Sequence, residues 1–490
     1  MTAGGVIAAG HPLSAEAGAN VLRDGGNAVD AAVASMLTSF VSEPLLTGMG
    51  AGGYMMVAGF EDEPVLLDFF VAAPGLGASG GSASDLTPVV VDFGDATQVF
   101  NVGPASVGVW GMPAGIADAI SRWGTAALAD LAAPAAALAR DGVSVNRSQS
   151  YVSSILEAIL LSTPESAAVF APSGSALAEG DRFAWPDLGD AMELLGSSGA
   201  EPFYTGEVAR AVLAWLSERG GMLTALDLDD YEPIPREPVS AAFHGRTVLT
   251  NPPPSAGGLL VAAALSAIDG TDCSATRLVE AMQAAQGART EDFVAGLDEP
   301  GFAERFLAGK LGNTTHVSVV DGDGRACAVT VTNGEGSGVI VPHTGMHPNN
   351  IMGEEDLNPL GFHAFPPRRR MPSMMAPTVV LGDNGVELVL GSAGSNRIRS
   401  AILQTIVGVI DRGLDAEAAV GAPRMHFEGG VVYAEPGIDI DALREAGYTV
   451  APFRDLNLFF GGVQAVARDP EAGALSGAGD PRRSGAAVIA

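Results

Sequence analysis

The sequence predicts a mixed α and β fold, and three observations carry that reading. Residues 315–332 alternate between two faces on either side of Asp321-Gly322-Asp323-Gly324, the pattern of a β-hairpin in a core sheet. Residues 10–40 are alanine-rich with helical periodicity, and residues 108–220 are mostly helical in pattern. No internal repeat and no linker divides the 490 residues, although that length allows two to four domains.

Composition fits a packed globular chain: 47% of residues are hydrophobic and 17% charged. The formal net charge of −31 leaves Lys310 as the only lysine. So acidic a surface argues against nucleic acid and against anionic membranes as partners. Cys273 and Cys327 are too few for a disulfide framework or a metal cluster, and Cys327 reads as a small buried hydrophobe. The first residues lack a basic stretch followed by an apolar one, so no secretory signal and a cytoplasmic location are expected. No uncharged run reads as a membrane span.

Taken in order, the first helix is expected to start at a Ser14 cap, bury Ala17, Val21 and Leu22, and stop at Gly25-Gly26. Asn27 caps the second helix, with Asp30 three residues on as its capping-box partner. Gly48, Gly50 and Gly53 match a dinucleotide-binding spacing but follow a helix and open a strand, the reverse of what that motif requires. A strand follows from Val65, and residues 75–93 read as a surface loop. Gly111-Met112-Pro113-Ala114-Gly115 is expected to open one helix, others are expected at 126–140 and 259–268, and from Glu280 the chain is helical, then flexible, up to Lys310. His343 and His347 flank a glycine in a Pro/Gly-rich loop, which does not suit a metal pair on a helix face, so no metal is assigned.

Thr314 opens the hairpin. A threonine hydroxyl is a poor nucleophile without a base beside it. Were the chain cut before Thr314, the new α-amine, with a pKa of roughly 7.7–8.0, would lie within reach of its own Oγ.

Gly312-Asn313-Thr314-Thr315-His316-Val317-Ser318-Val319-Val320-Asp321 resembles the processing site of the γ-glutamyltransferase family. Residues 10–30, Asn349-Asn350-Ile351-Met352-Gly353-Glu354-Glu355 and Gly391-Ser392-Ala393-Gly394-Ser395-Asn396-Arg397-Ile398 resemble further family landmarks in the family's order. The resemblance implies an α+β fold of the N-terminal nucleophile hydrolase type, a four-layer αββα sandwich. It implies self-cleavage at Asn313-Thr314 into segments 1–313 and 314–490, which stay interwoven as a heterodimer. Thr314 would then be the nucleophile, Thr332 its hydrogen-bond partner, and the backbone N–H groups of Gly394 and Ser395 the oxyanion hole. No cofactor is implied.

For substrate, the resemblance gives Glu354 the ammonium contact and Ser373 a carboxylate contact. The chain departs from the family at three places. Phe70 stands where relatives carry a carboxylate-binding arginine, and Met374 where they carry a second serine. Asn333 falls one place before the family's substrate-binding asparagine, and a turn role is its other reading. Arg368-Arg369-Arg370 reads as an anion clamp or as a solvated basic loop. The expected substrate is a small-molecule amide, either γ-glutamyl or carrying another acyl group as in the cephalosporin acylase-like and oxamate amidohydrolase-like branches. A non-catalytic relative that binds a small amide is the remaining alternative.

Overall fold

The structure, a computed structural model, describes residues 4–77, 86–92, 97–287, 314–358 and 360–490. Two antiparallel sheets form its centre. Their strands in chain order are β1 (Gly5–Ala9), β2 (Gly52–Ala58), β3 (Val65–Phe69), β4 (Ile234–Arg236), β5 (Val239–Phe243) and β6 (Arg246–Thr250). There follow β7 (Thr315–Asp321), β8 (Ala326–Thr332), β9 (Thr378–Gly382), β10 (Gly385–Ala393), β11 (Gly462–Arg468), β12 (Leu475–Gly479) and β13 (Ala486–Ile489). The first sheet runs β13-β1-β7-β8-β2-β3-β4 and the second β12-β11-β10-β9-β6-β5.

The predicted hairpin is β7–β8, with Thr315 opposite Val331 and Val320 opposite Ala326. Its alternation assigns the two faces of the first sheet. Val317 and Val319 pack against helices, in one core with α1 (Pro12–Arg23) and α2 (Ala28–Ser42). Val320, Ala326 and Ala328 meet Val379, Val386, Val389 and Val466 of the second sheet. The outer face of that sheet is covered by α3 (Ala256–Ile268), α4 (Ala275–Gly287) and α5 (Arg397–Ile406). Helices, sheet, sheet, helices: the layers are αββα.

The buried polar groups of His316, Ser318 and Thr330 satisfy one another between the sheets, as burial demands. His316 Nδ1 lies 2.7 Å from Thr330 Oγ1 and its Nε2 2.9 Å from Ser318 Oγ, which donates to the Gln464 carbonyl. Burial lowers the pKa of this imidazole to about 3, so it is a neutral brace between the layers.

The second helix has the expected capping box, with Asn27 and Asp30 each accepting from the other's backbone. The first differs. Its cap is His11, whose Nδ1 accepts from Leu13 N–H, and Pro12 takes the first turn. The buried stripe is therefore Ser14, Ala15, Gly18, Ala19 and Leu22, with Ala17 and Val21 only half-buried. The loop reading of residues 75–93 is also corrected, because Thr87–Asp92 pairs with Thr97–Val102 as a hairpin. The stretch from 288 to Asn313, which holds the flexible segment and one side of the expected cleavage bond, lies outside the described residues.

Candidate active site

Thr314 sits at the mouth of β7, 1% exposed, on the wall of a small cavity. Phe70, Thr332, Ile351, Glu354, Leu357, Ser373, Met374, Met375 and Ile398 line the rest. Six residues singled out in the sequence thus converge on one space: Thr314, Thr332, Glu354, Ser373, Phe70 and Met374. They come from four separate parts of the chain.

Each part is fixed by bonds its own sequence supplies. Thr332 closes β8, and its Oγ1 accepts from Gly334 N–H at 2.9 Å, turning the chain away from the sheet. Gly334 has φ +64, and a Cβ there would lie 2.2 Å from Glu354 Oε1, so only glycine lets this turn pass beneath the carboxylate. The loop bearing Glu354 is held by asparagines. Asn349 Oδ1 accepts from Gly108 N–H and its Nδ2 donates to the Gly50 carbonyl, while Asn350 Oδ1 accepts from Glu335 N–H. Asn358 Nδ2 donates to the carbonyls of Ile351 and Glu354, both at 2.8 Å.

Ser373 is anchored through its backbone. Its carbonyl accepts from Ala256 N–H at 2.8 Å and from Ser255 Oγ at 3.0 Å, and its own hydroxyl accepts from Met375 N–H. Phe70 stacks on Tyr54 with centroids 5.4 Å apart. Asp68 aims it: one carboxylate oxygen accepts from Phe70 N–H, the other from Arg236 at 2.8 Å, while Tyr231 donates to the Phe70 carbonyl. The wall opposite Glu354 is thereby aromatic and aliphatic. Among the described residues lining the cavity, Glu354 is the only charged one.

Other residues named from sequence do not line this cavity. Gly394 and Ser395 form the turn between β10 and α5, with φ of +113 and +65. Among the described residues no acceptor meets their backbone N–H groups, and this turn leads straight to cavity-lining Ile398. Asn333 is buried in its turn, its Nδ2 donating to the His347 carbonyl. Arg370 is neither clamp nor solvated: it is buried, stacks 4.2 Å from the Tyr231 ring, and lies 3.4 Å from Asp68. His343 is exposed beside Asp187, whereas His347 is buried against Phe170. Ile351, Leu357, Met375 and Ile398 were not identified from sequence. Apolar residues in loops and at a helix start carry no local mark of lining a site.

Compared with known proteins, residues 14–297 and 302–490 match the family model described as Gamma-glutamyltranspeptidase. The chain belongs to that family. It is 30% identical to a glutathione hydrolase proenzyme of Bacillus subtilis over 545 aligned positions, covering 99% of this chain and 91% of the relative. It is 32% identical to the acylase ACY 1 proenzyme of Pseudomonas sp. strain V22 over 525 positions, covering 99% and 93%. The crystal structure of cephalosporin acylase from Bacillus halodurans superposes with a TM-score of 0.81 at 25% identity, covering 99% of this chain and 96% of that one. The γ-glutamyltranspeptidase-family chain is accordingly an enzyme, an amidohydrolase or acyltransferase of the N-terminal nucleophile type. No helix among its described residues is long and apolar enough to cross a membrane.

Proposed function

We propose that the chain is a proenzyme that cleaves itself between Asn313 and Thr314, and that mature Thr314 then hydrolyses or transfers the acyl group of a small amide. The observation that carries this is the convergence of Thr314, Thr332 and Glu354 on one cavity at the start of a core strand. In processing, Thr314 Oγ attacks the Asn313 carbonyl and the acyl group shifts from N to O. Water then hydrolyses the ester, releasing the Asn313 carboxylate and the Thr314 amine.

In turnover, that amine in its neutral form takes the Oγ proton as Oγ attacks the substrate carbonyl. It returns the proton to the leaving amine, and water or a second amine resolves the acyl-enzyme. Thr332 fixes the nucleophile, and the N–H groups of Gly394 and Ser395 receive the oxyanion. Aimed beforehand, such donors are worth about 3 kcal/mol each. Glu354 holds a cationic or hydrogen-bonding group of the acyl part, and Ser373 supplies one further hydroxyl.

A second reading concerns the acyl group. Phe70 and Met374 line the cavity where a γ-glutamyl carboxylate would need a cation or hydroxyl, and a buried unpaired carboxylate is strongly disfavoured. This favours an acyl group lacking that carboxylate, with the relatives named as acylases as the precedent.

The test is intact-protein mass spectrometry of wild type beside Thr314→Ala. Wild type should give two fragments, the second beginning at Thr314, and the variant a single chain. A wild type that stays uncut after long incubation, or a variant that cuts, defeats the mechanism. Glutathione and apolar acyl anilides, assayed in parallel on the processed enzyme, separate the two acyl readings.

A further inference from the structure

A buried carboxyl group that the mechanism above does not use lies one residue behind the nucleophile. Glu43 ends α2 and is 3% exposed. The Thr315 hydroxyl donates to it, 3.1 and 3.2 Å from its two oxygens. Gly10, just past β1, makes room: a Cβ there would stand 2.5 Å from Glu43 Oε1 and 2.8 Å from Thr315 Oγ1. The first sheet and the helical layer therefore close around this carboxyl at the point where β7 begins.

Helix stability does not ask for an acid here. A carboxylate at a helix C-terminus opposes the helix dipole, and a buried one loses its hydration. Arg483, from the turn Pro481–Arg483, is the charged group that acts on Glu43 among the described residues. Arg483 in turn feels the charges of Arg397, Asp480 and Glu335. The Glu43 carboxyl thus answers to one cation and one hydroxyl, and the hydroxyl belongs to the neighbour of Thr314.

We propose that Glu43 is a positioning residue for self-cleavage: its carboxylate holds Thr315, and through the intervening peptide bond sets Thr314 Oγ against the Asn313 carbonyl. The proposal rests on Thr314 being the nucleophile. A charged acceptor holds a hydroxyl about twice as strongly as a neutral one, so the ionised carboxylate is the working form. Burial, opposed by the Thr315 bond and Arg483, raises the Glu43 pKa to about 7. Arg483, lowered to about 10 by burial and by Arg397, stays charged across the range that matters.

The experiment follows self-cleavage of purified precursor by intact mass between pH 5.5 and 8.5, for wild type, Glu43→Gln, Thr315→Val and Thr314→Ala. Wild-type cleavage should slow as pH falls through 7, by up to about tenfold per pH unit. Glu43→Gln keeps a neutral acceptor for Thr315 and should cleave about tenfold or more slowly above pH 7, with that pH dependence gone. Thr315→Val breaks the same bond from the other side and should also be slowed. Wild-type rate and pH profile in Glu43→Gln overturn the proposal. Should that variant fail to fold, a wild-type rate in Thr315→Val overturns it instead. A wild type that never cleaves, like Thr314→Ala, defeats the nucleophile reading and Glu43's role with it, whereas cleavage indifferent to Glu43 defeats this inference alone.

Discussion

At the scale of single residues, Glu43 sets function against stability. Its carboxyl titrates near 7 in the folded chain against 4.5 ordinarily, so between those values the folded state holds a proton that the unfolded state has lost. Stability tied to this group is fully present below about pH 4.5 and falls as pH rises through 7. A shift of that size corresponds to on the order of 3 kcal/mol. Glu43→Gln carries no such charge. It is therefore expected to unfold at a higher temperature than wild type at pH 8, with the difference closing towards pH 5. Thermal melts of the two proteins at both pH values decide this; an equal difference at both would show that the Glu43 charge is not what burial penalises.

At the scale of elements, the turn from β10 into α5 makes the sharpest demand on backbone. Gly394, at φ +113, could take a Cβ only 2.7 Å from Gly461 Cα, a double obstacle of dihedral and contact. Ser395, at φ +65, sits in a region open to L-residues at a cost of roughly 1 kcal/mol. Gly394→Ala is expected to lose about 2–3 kcal/mol of stability, while Ser395→Gly should stay within about 1 kcal/mol of wild type and keep its activity. Denaturant melts and steady-state rates check both. A catalytically dead but folded Ser395→Gly would mean that the serine side chain, and not only its N–H, serves the reaction.

Elements were legible in the sequence where the signal is local. The β7–β8 hairpin has its turn residues and its period, and the Asn27–Asp30 box declares the second helix. The start of the first helix was placed three positions late, at Ser14, because a histidine caps it and a proline follows. The strand Thr87–Asp92 was hidden by its Gly- and Ser-rich surroundings. The motif residues of the cavity, Phe70 and Met374 included, were legible through family resemblance, but Ile351, Leu357, Met375 and Ile398 were not, because they meet only when distant loops fold together. Arg370 was misjudged for the same reason: its partners Asp68 and Tyr231 lie far away in sequence.

At the scale of the whole molecule, a cut at Thr314 divides the chain without dividing either sheet. In the first sheet, β1–β4 come from before the cut and β7, β8 and β13 from after it, and β1 lies between β7 and β13. In the second, β5 and β6 precede the cut while β9–β12 follow it, joined along β6–β9. Separating the fragments would expose the apolar layer between the sheets and break three ladders in the first sheet and one in the second, β1–β7, β1–β13 and β8–β2 among them. Burial on this scale resembles a domain core cut in half rather than a transient contact. The processed fragments should therefore co-elute in size-exclusion chromatography at every concentration where the protein is folded. They should separate only within the denaturant transition that also melts the secondary structure. A salt- or dilution-induced separation of two still-folded fragments would contradict the interleaved strand order, and with it the view that cleavage frees an amine without freeing a subunit.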